Sequence, residues 1–148
     1  VVLKESTSRV GQVGRILAAR PDASVMCCDS PNLGLVVPTM ALGGHGTANM
    51  TGNFAPRELA AISEPWTDDT GTTAFREAYL KNLPLLHYTY SAINPVALKS
   101  LMAAAGLPAG PLREPLRALP RERIEEGLQI LTELGLDTAY GFKRQIAA

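Results

Sequence analysis

Hydrophobic positions along this chain follow two rhythms. Three short apolar runs, at residues 1–4, 23–28 and 45–50, recur about 22 residues apart, the period of a compact strand-helix unit. Between them the apolar residues fall at helical spacing. Over residues 8–19, Val10, Val13, Ile16 and Leu17 share one face, and Arg20-Pro21-Asp22 stops the helix because a proline steers the residue before it away from helical geometry. A second helix is predicted over 32–42, closed by Gly43-Gly44. Pro38 inside it predicts a kink or a late start.

From residue 55 the strand rhythm ceases and helical patterns follow one another over 56–63, 72–90, 95–105 and 120–134. Pro56 and Pro120 suit a first helical turn, and Gly106 and Gly135 suit helix ends. The layout is therefore β-α-β-α-β followed by an all-helical tail, which divides the chain into residues 1–64 and 65–148. Strands in such units run parallel and are covered by helices on at least one face. Periodicity is compatible with a doubly wound sheet and with a closed barrel alike.

Composition narrows the function classes. With 14 basic and 14 acidic residues among 148, the chain favours no polyanion, and neither nucleic acid nor a membrane surface is an expected partner. No apolar run reaches the roughly 20 residues of a membrane span, and no basic flank with a small-residue cleavage site opens the chain, so a cytoplasmic protein is expected. Cys27 and Cys28 are neighbours in one apolar run, where alternating side chains do not bridge. They imply no disulfide framework and, with only two histidines, no metal site. Val1-Val2-Leu3 opens inside what reads as a buried strand, so further sequence is expected upstream.

In either α/β architecture the reactive groups gather at the C-terminal ends of the strands. Those ends carry Lys4-Glu5-Ser6-Thr7, Cys28-Asp29-Ser30 and Asn49 to Asn53. No glycine-rich phosphate loop follows any strand, so nucleotide binding has no support. Lys4 closes a Val-Val-Leu run, which would carry its amine into or beside an apolar interior. Desolvation there favours the neutral amine, the form that attacks a ketone. Spacing alone favours the plainer alternative, a strand-end lysine reaching solvent or pairing with Asp29. Glu5 should point away from Lys4 by strand alternation. Asp29 and Asn53 read first as helix caps, His45 as a structural residue at a strand's N-terminal end, and Trp66 as a packing anchor. His87, Tyr88 and Tyr90 read as packing or interface residues, and Lys99 and Arg113 as solvated or paired cations, although both are able to bind anions.

The order of these motifs resembles one family, the dihydrodipicolinate synthase and N-acetylneuraminate lyase group of class I aldolases. Val1-Val2-Leu3-Lys4-Glu5-Ser6 resembles its Schiff-base strand, the sixth of a (β/α)8 barrel. Met26-Cys27-Cys28-Asp29 resembles the seventh strand. Leu42-Gly43-Gly44-His45-Gly46, then Thr51-Gly52-Asn53-Phe54-Ala55-Pro56, resembles the eighth strand and the loop leaving it. Asn94-Pro95-Val96-Ala97-Leu98-Lys99 and the stretch from Gly106 to Leu116 resemble the family's C-terminal helical domain.

The resemblance implies a partial (β/α)8 TIM barrel, strands six to eight with their helices over residues 1–64, followed by a helical domain over 65–148. It makes Lys4 the imine-forming lysine and places Cys28, Asp29 and Ala48 around a keto-acid pocket. It further implies a lyase acting on pyruvate or a related 2-keto acid with an aldehyde partner, like 4-hydroxy-tetrahydrodipicolinate synthase, with no cofactor, as a homodimer or homotetramer. Two departures bear on the substrate. Val2 and Cys28 stand where the family often has glycine, and their side chains should narrow the pocket. The family carries its carboxylate-binding Thr-Thr element and its proton-relaying tyrosine upstream of this segment, so these 148 residues are expected to be a fragment, inactive alone, lacking the N-terminal half. A barrel needs roughly 250 residues. The rival readings are an inactive remnant serving as a helical interaction module, a relative that cleaves or dehydrates a 2-keto-3-deoxy sugar acid or 4-hydroxy-2-oxo acid, and a small doubly wound binding domain.

Overall fold

The computed structural model describes all residues except 20, 21, 29, 31–33, 67 and 146–148. Three strands, β1 (Val2–Glu5), β2 (Ser24–Cys28) and β3 (Thr47–Ala48), form one parallel sheet in the order β1-β2-β3. Helix α1 (Val10–Ala18) connects the first pair and α2 (Val36–Ala41) the second. A 3-10 turn (Met50–Asn53) then leads into α3 (Pro56–Ser63), α4 (Asp69–Thr89), α5 (Val96–Ala104), α6 (Arg121–Glu133) and α7 (Leu136–Tyr140).

The sheet is two-faced because strand side chains alternate. Val25 and Cys27 are buried on one face, with Leu3 and Glu5 in register beside them. Helices α1 and α2 add Val13, Val36 and Met40 to the same core. Val2, Lys4, Ser24, Met26, Cys28 and Ala48 point to the other face, which no described element of the chain encloses; Val2 is 62% exposed.

Most predicted helices are present, and their ends follow the expected signals. Gly106 and Gly135 take positive φ (77° and 71°) just beyond α5 and α6. In α2 the late start is what the structure has: the helix begins at Val36, which puts Pro38 in the first turn, where an N–H has no intrahelical partner to lose. Residues 32 and 33 of the predicted helix lie outside the described residues. α4 begins at Asp69, earlier than predicted, because the Asp68 side chain accepts a hydrogen bond from Gly71 N at 2.9 Å and caps the helix.

The third strand is shorter than predicted. Only Thr47–Ala48 pair with β2, and residues 50–53 wind into the 3-10 turn. The Asn49 side chain accepts from Thr51 N at 2.8 Å, and the buried Thr51 hydroxyl meets the Thr89 hydroxyl at 2.6 Å. This turn also corrects the expectation for Asn53. Its side chain donates back to Met50 O, and Ala55 stands at the start of α3.

The core runs through the chain from Val13 to Leu136. Trp66 packs edge-on against Phe75, which stacks on Tyr79, so Trp66 is the anchor its turn predicted. Among the described residues no helix is long and apolar enough to cross a membrane, and no three His, Cys, Asp or Glu side chains gather as a metal site.

Candidate active site

The parallel register fixes which side chains share the open face. Lys4 is paired with Met26, and Cys28 with Ala48. Met26 and Cys28 are two residues apart on β2, hence on one face, so Lys4, Met26, Cys28 and Ala48 form a contiguous patch. Adjacent strands lie about 4.8 Å apart, which makes Met26 the lateral neighbour of Lys4. Lys4, Cys28 and Ala48 stand toward the C-terminal ends of their strands, where α/β proteins carry their chemistry, with Met26 one step below Cys28 on the same face. Three of the predicted site residues are thus brought together. Asp29 lies outside the described residues.

Of the two settings that spacing allows for Lys4, the structure has the plainer one, a strand-end lysine reaching solvent. Its side chain is exposed rather than carried into an apolar interior, because α1 and α2 cover only the opposite face of the sheet. Cys28 and Ala48 are half-buried. Neither cysteine is in a disulfide, and Cys27 faces the helices.

Groups around the patch set its geometry rather than its chemistry. Glu5 turns away from Lys4, as alternation requires. Its carboxylate accepts from Thr7 N at 2.6 Å and so shapes the turn into α1. That amide, with the Thr7 hydroxyl, holds the Glu5 carboxyl below its ordinary range against an opposing effect of burial. His45 ties the lower end of β3 to β2: its backbone N donates to Val25 O at 2.7 Å and its Nδ1 accepts from Val25 N at 3.0 Å. This is the structural role read from its position. Above the sheet, the Asn49 and Thr51 contacts fix the turn that leaves Ala48.

Sequence reasoning did not single out Met26 as a site residue. The signal was available, since Met26 is two positions before Cys28 in a strand of period two. Its register against Lys4 required the structure.

The profile of the Dihydrodipicolinate synthetase family matches residues 1–134. The chain belongs to this family. A 4-hydroxy-tetrahydrodipicolinate synthase of Lachnoclostridium phytofermentans is 31% identical over 119 residues, covering 78% of this chain and 38% of that protein. Among solved structures, dihydrodipicolinate synthase from Cyanidioschyzon merolae with lysine bound superposes with a TM-score of 0.79 at 28% identity, over 92% of this chain and 45% of that one. The 4-hydroxy-tetrahydrodipicolinate synthase of Methylacidiphilum fumariolicum gives a TM-score of 0.78 at 26% identity, over 95% and 46%. The chain therefore spans less than half the length of these relatives and shares their fold across that span.

Proposed function

We propose that this family member is the Schiff-base-bearing part of a (β/α)8-barrel lyase acting on pyruvate or a related 2-keto acid. In this reading β1 to β3 are the sixth to eighth barrel strands, residues 1–64 belong to the barrel, and residues 65–148 form the helical region that follows. The observation that carries it is the placement of Lys4, Cys28 and Ala48 on one open sheet face, in a chain whose relatives include named 4-hydroxy-tetrahydrodipicolinate synthases.

The neutral Lys4 amine attacks the ketone carbon, and loss of water leaves a protonated iminium. The iminium withdraws electrons from the adjacent carbon, which gives up a proton to form an enamine. The enamine then attacks the aldehyde carbon of the second substrate, and hydrolysis of the new iminium returns the lysine. Cys28, Asp29 and Ala48 border the keto acid. Enclosure by the rest of a barrel would supply the desolvation that Lys4 lacks on the open face, together with the carboxylate-binding and proton-relaying groups. No cofactor is required for these steps. The reading includes a cytoplasmic homodimer or homotetramer.

The test is borohydride trapping of the full-length protein with pyruvate. Reduction of the imine should leave a covalent adduct on the peptide containing Lys4. Full activity without any adduct there would refute the proposal.

A further inference from the structure

A groove of about 690 Å3 lies far along the chain from Lys4, between α5, the 106–120 segment and the start of α6. Two hydrogen bonds create it. Lys99 Nζ donates to Pro111 O at 2.7 Å, and Leu119 N donates to Ser100 Oγ at 3.0 Å. The segment is thereby fastened to α5 at both ends and bows away between them. On the α5 side, beyond Lys99 and Ser100, the groove meets the small side chains of Ala103 and Ala104, which leave the space open, while Leu112, Leu116 and Ile124 form apolar walls.

The polar residues of the rim are unbalanced. Lys99, Arg117 and Arg121 line the groove, and among the described residues no Asp or Glu lines it. Lys99 is engaged by Pro111, and Arg121 is paired with Glu125 at 2.8 Å. Arg117, which is exposed, makes no hydrogen bond or ion pair with another described residue. An apolar trough ending at an uncompensated guanidinium complements a molecule with a hydrocarbon body and one carboxylate.

We infer that this groove binds a small amphipathic monocarboxylate, its hydrocarbon part over Ala103 between Leu112, Leu116 and Ile124, and its carboxylate on Arg117. The site is separate from the sheet face that carries Lys4 and does not depend on the aldolase reading.

Octanoate is a suitable probe, titrated calorimetrically into the full-length protein. Saturable binding is expected, with octan-1-ol and acetate each at least tenfold weaker because one lacks the charge and the other the hydrocarbon. Arg117→Glu should weaken octanoate at least tenfold by reversing the rim charge, and Ala103→Leu should do the same by filling the trough. Both positions are exposed, so neither change threatens the core. Lys4→Arg should leave octanoate binding unchanged. Absence of saturable binding would overturn the inference, as would octanol binding as tightly as octanoate or affinity that survives either groove substitution.

Discussion

The Tyr140 hydroxyl donates a hydrogen bond to Glu58 Oε2 at 2.6 Å, joining α7 to the first turn of α3 across 82 residues of chain. The same oxygen accepts from Arg57 N and Arg57 Nε, each at 3.2 Å, and the guanidinium lies 4.7 Å from the ring centroid. Tyr140 also stacks on Phe142, which meets the buried Phe54 edge-on at 5.9 Å. Tyr140 and Phe142 lie beyond residue 134, where the family match ends, and their partners lie within it. The clamp holds α3, the helix that follows the turn leaving β3, and so ties α7 to the element next to that turn.

Tyr140→Phe keeps the ring stacking and removes the three hydroxyl contacts. A hydrogen bond involving a charged group contributes about 1.5–3 kcal/mol, with the lower end appropriate at a partly exposed site. The variant should lose about 1 to 2 kcal/mol of unfolding free energy, lowering its denaturant midpoint, and amides of residues 136–142 should exchange faster. An unchanged unfolding midpoint with unchanged exchange would show that stacking alone holds α7.

Gly127 and Tyr88 set the packing of α6 on α4. A Cβ at residue 127 would lie 2.4 Å from Tyr88 Cζ and 2.7 Å from its hydroxyl oxygen. The ring has little freedom to yield, since it is 2% exposed and its hydroxyl donates to Arg123 O at 2.8 Å. Gly127→Ala would gain helix propensity, worth about 1 kcal/mol, but overpacking costs about 1–3 kcal/mol. A net loss of stability is expected in urea unfolding, together with a perturbed near-ultraviolet tyrosine signal. A more stable protein with an unaltered tyrosine signal would contradict this packing.

Burial raises the Tyr88 phenol from 10.0 to about 12, with Arg123 opposing the rise and Glu126 adding to it. The folded protein thus holds this proton more tightly than the unfolded chain does. The associated stability is fully present below pH 10.0 and is lost as pH rises toward about 12. Unfolding midpoints should therefore fall across that window, and Tyr88→Phe should fall less steeply. Parallel pH profiles for the two proteins would rule out Tyr88 as a source of alkaline sensitivity.

Much of this architecture could be read from local pattern. The three short apolar runs located all three strands, and prolines and glycines located most helix ends, because such signals act within a few residues. The resemblance carried by Lys4, Met26 to Asp29 and the Gly43-Gly44-His45-Gly46 stretch led to the family itself. What escaped was set by distant partners. The truncation of β3 depends on Thr51 meeting Thr89, 38 residues away. The short α7 lies between Gly135 and Gly141, both left-handed, and owes its place to Glu58 and Phe54 rather than to periodicity. The exposure of Lys4 was the plainer of the two readings of its spacing, but its cause was not legible, since an apolar run shows that a strand is buried on some face without showing which elements cover it.

Cys28 and Val2 offer a test of specificity within the proposed reaction. Both project from the same face as Lys4, at positions where the family often has glycine, so each should take volume from the substrate. Cys28→Gly in the full-length protein should admit bulkier aldehydes while borohydride still traps pyruvate on Lys4. An identical acceptor profile before and after the change, with trapping intact, would place Cys28 outside the acceptor's path. Loss of trapping would instead point to damage to the imine site itself.

Residues 1–148 expressed alone should be unevenly stable. In the sheet order β1-β2-β3, the outer strands each offer one edge with no strand paired to it among the described residues. The face bearing Val2, Lys4, Met26, Cys28 and Ala48 is open to solvent, and short parallel strands with free edges are templates for aggregation. The helical part is better provided for, because Leu85, Leu86, Leu101 and Leu131 are all buried with 1% exposure or less. Local stability should therefore be uneven. Amides of β1 and β2 should exchange much faster than those of α4 to α6, the preparation should be poorly soluble while retaining helical circular dichroism, and no keto acid should be turned over. Supplying the preceding half of a family barrel in trans should slow exchange in β1 and β2 specifically, since pairing and covering of the open face are what those strands lack. A soluble monomer with uniform protection and aldolase activity of its own would refute both the open-face argument and the proposal that catalysis requires groups from outside these residues.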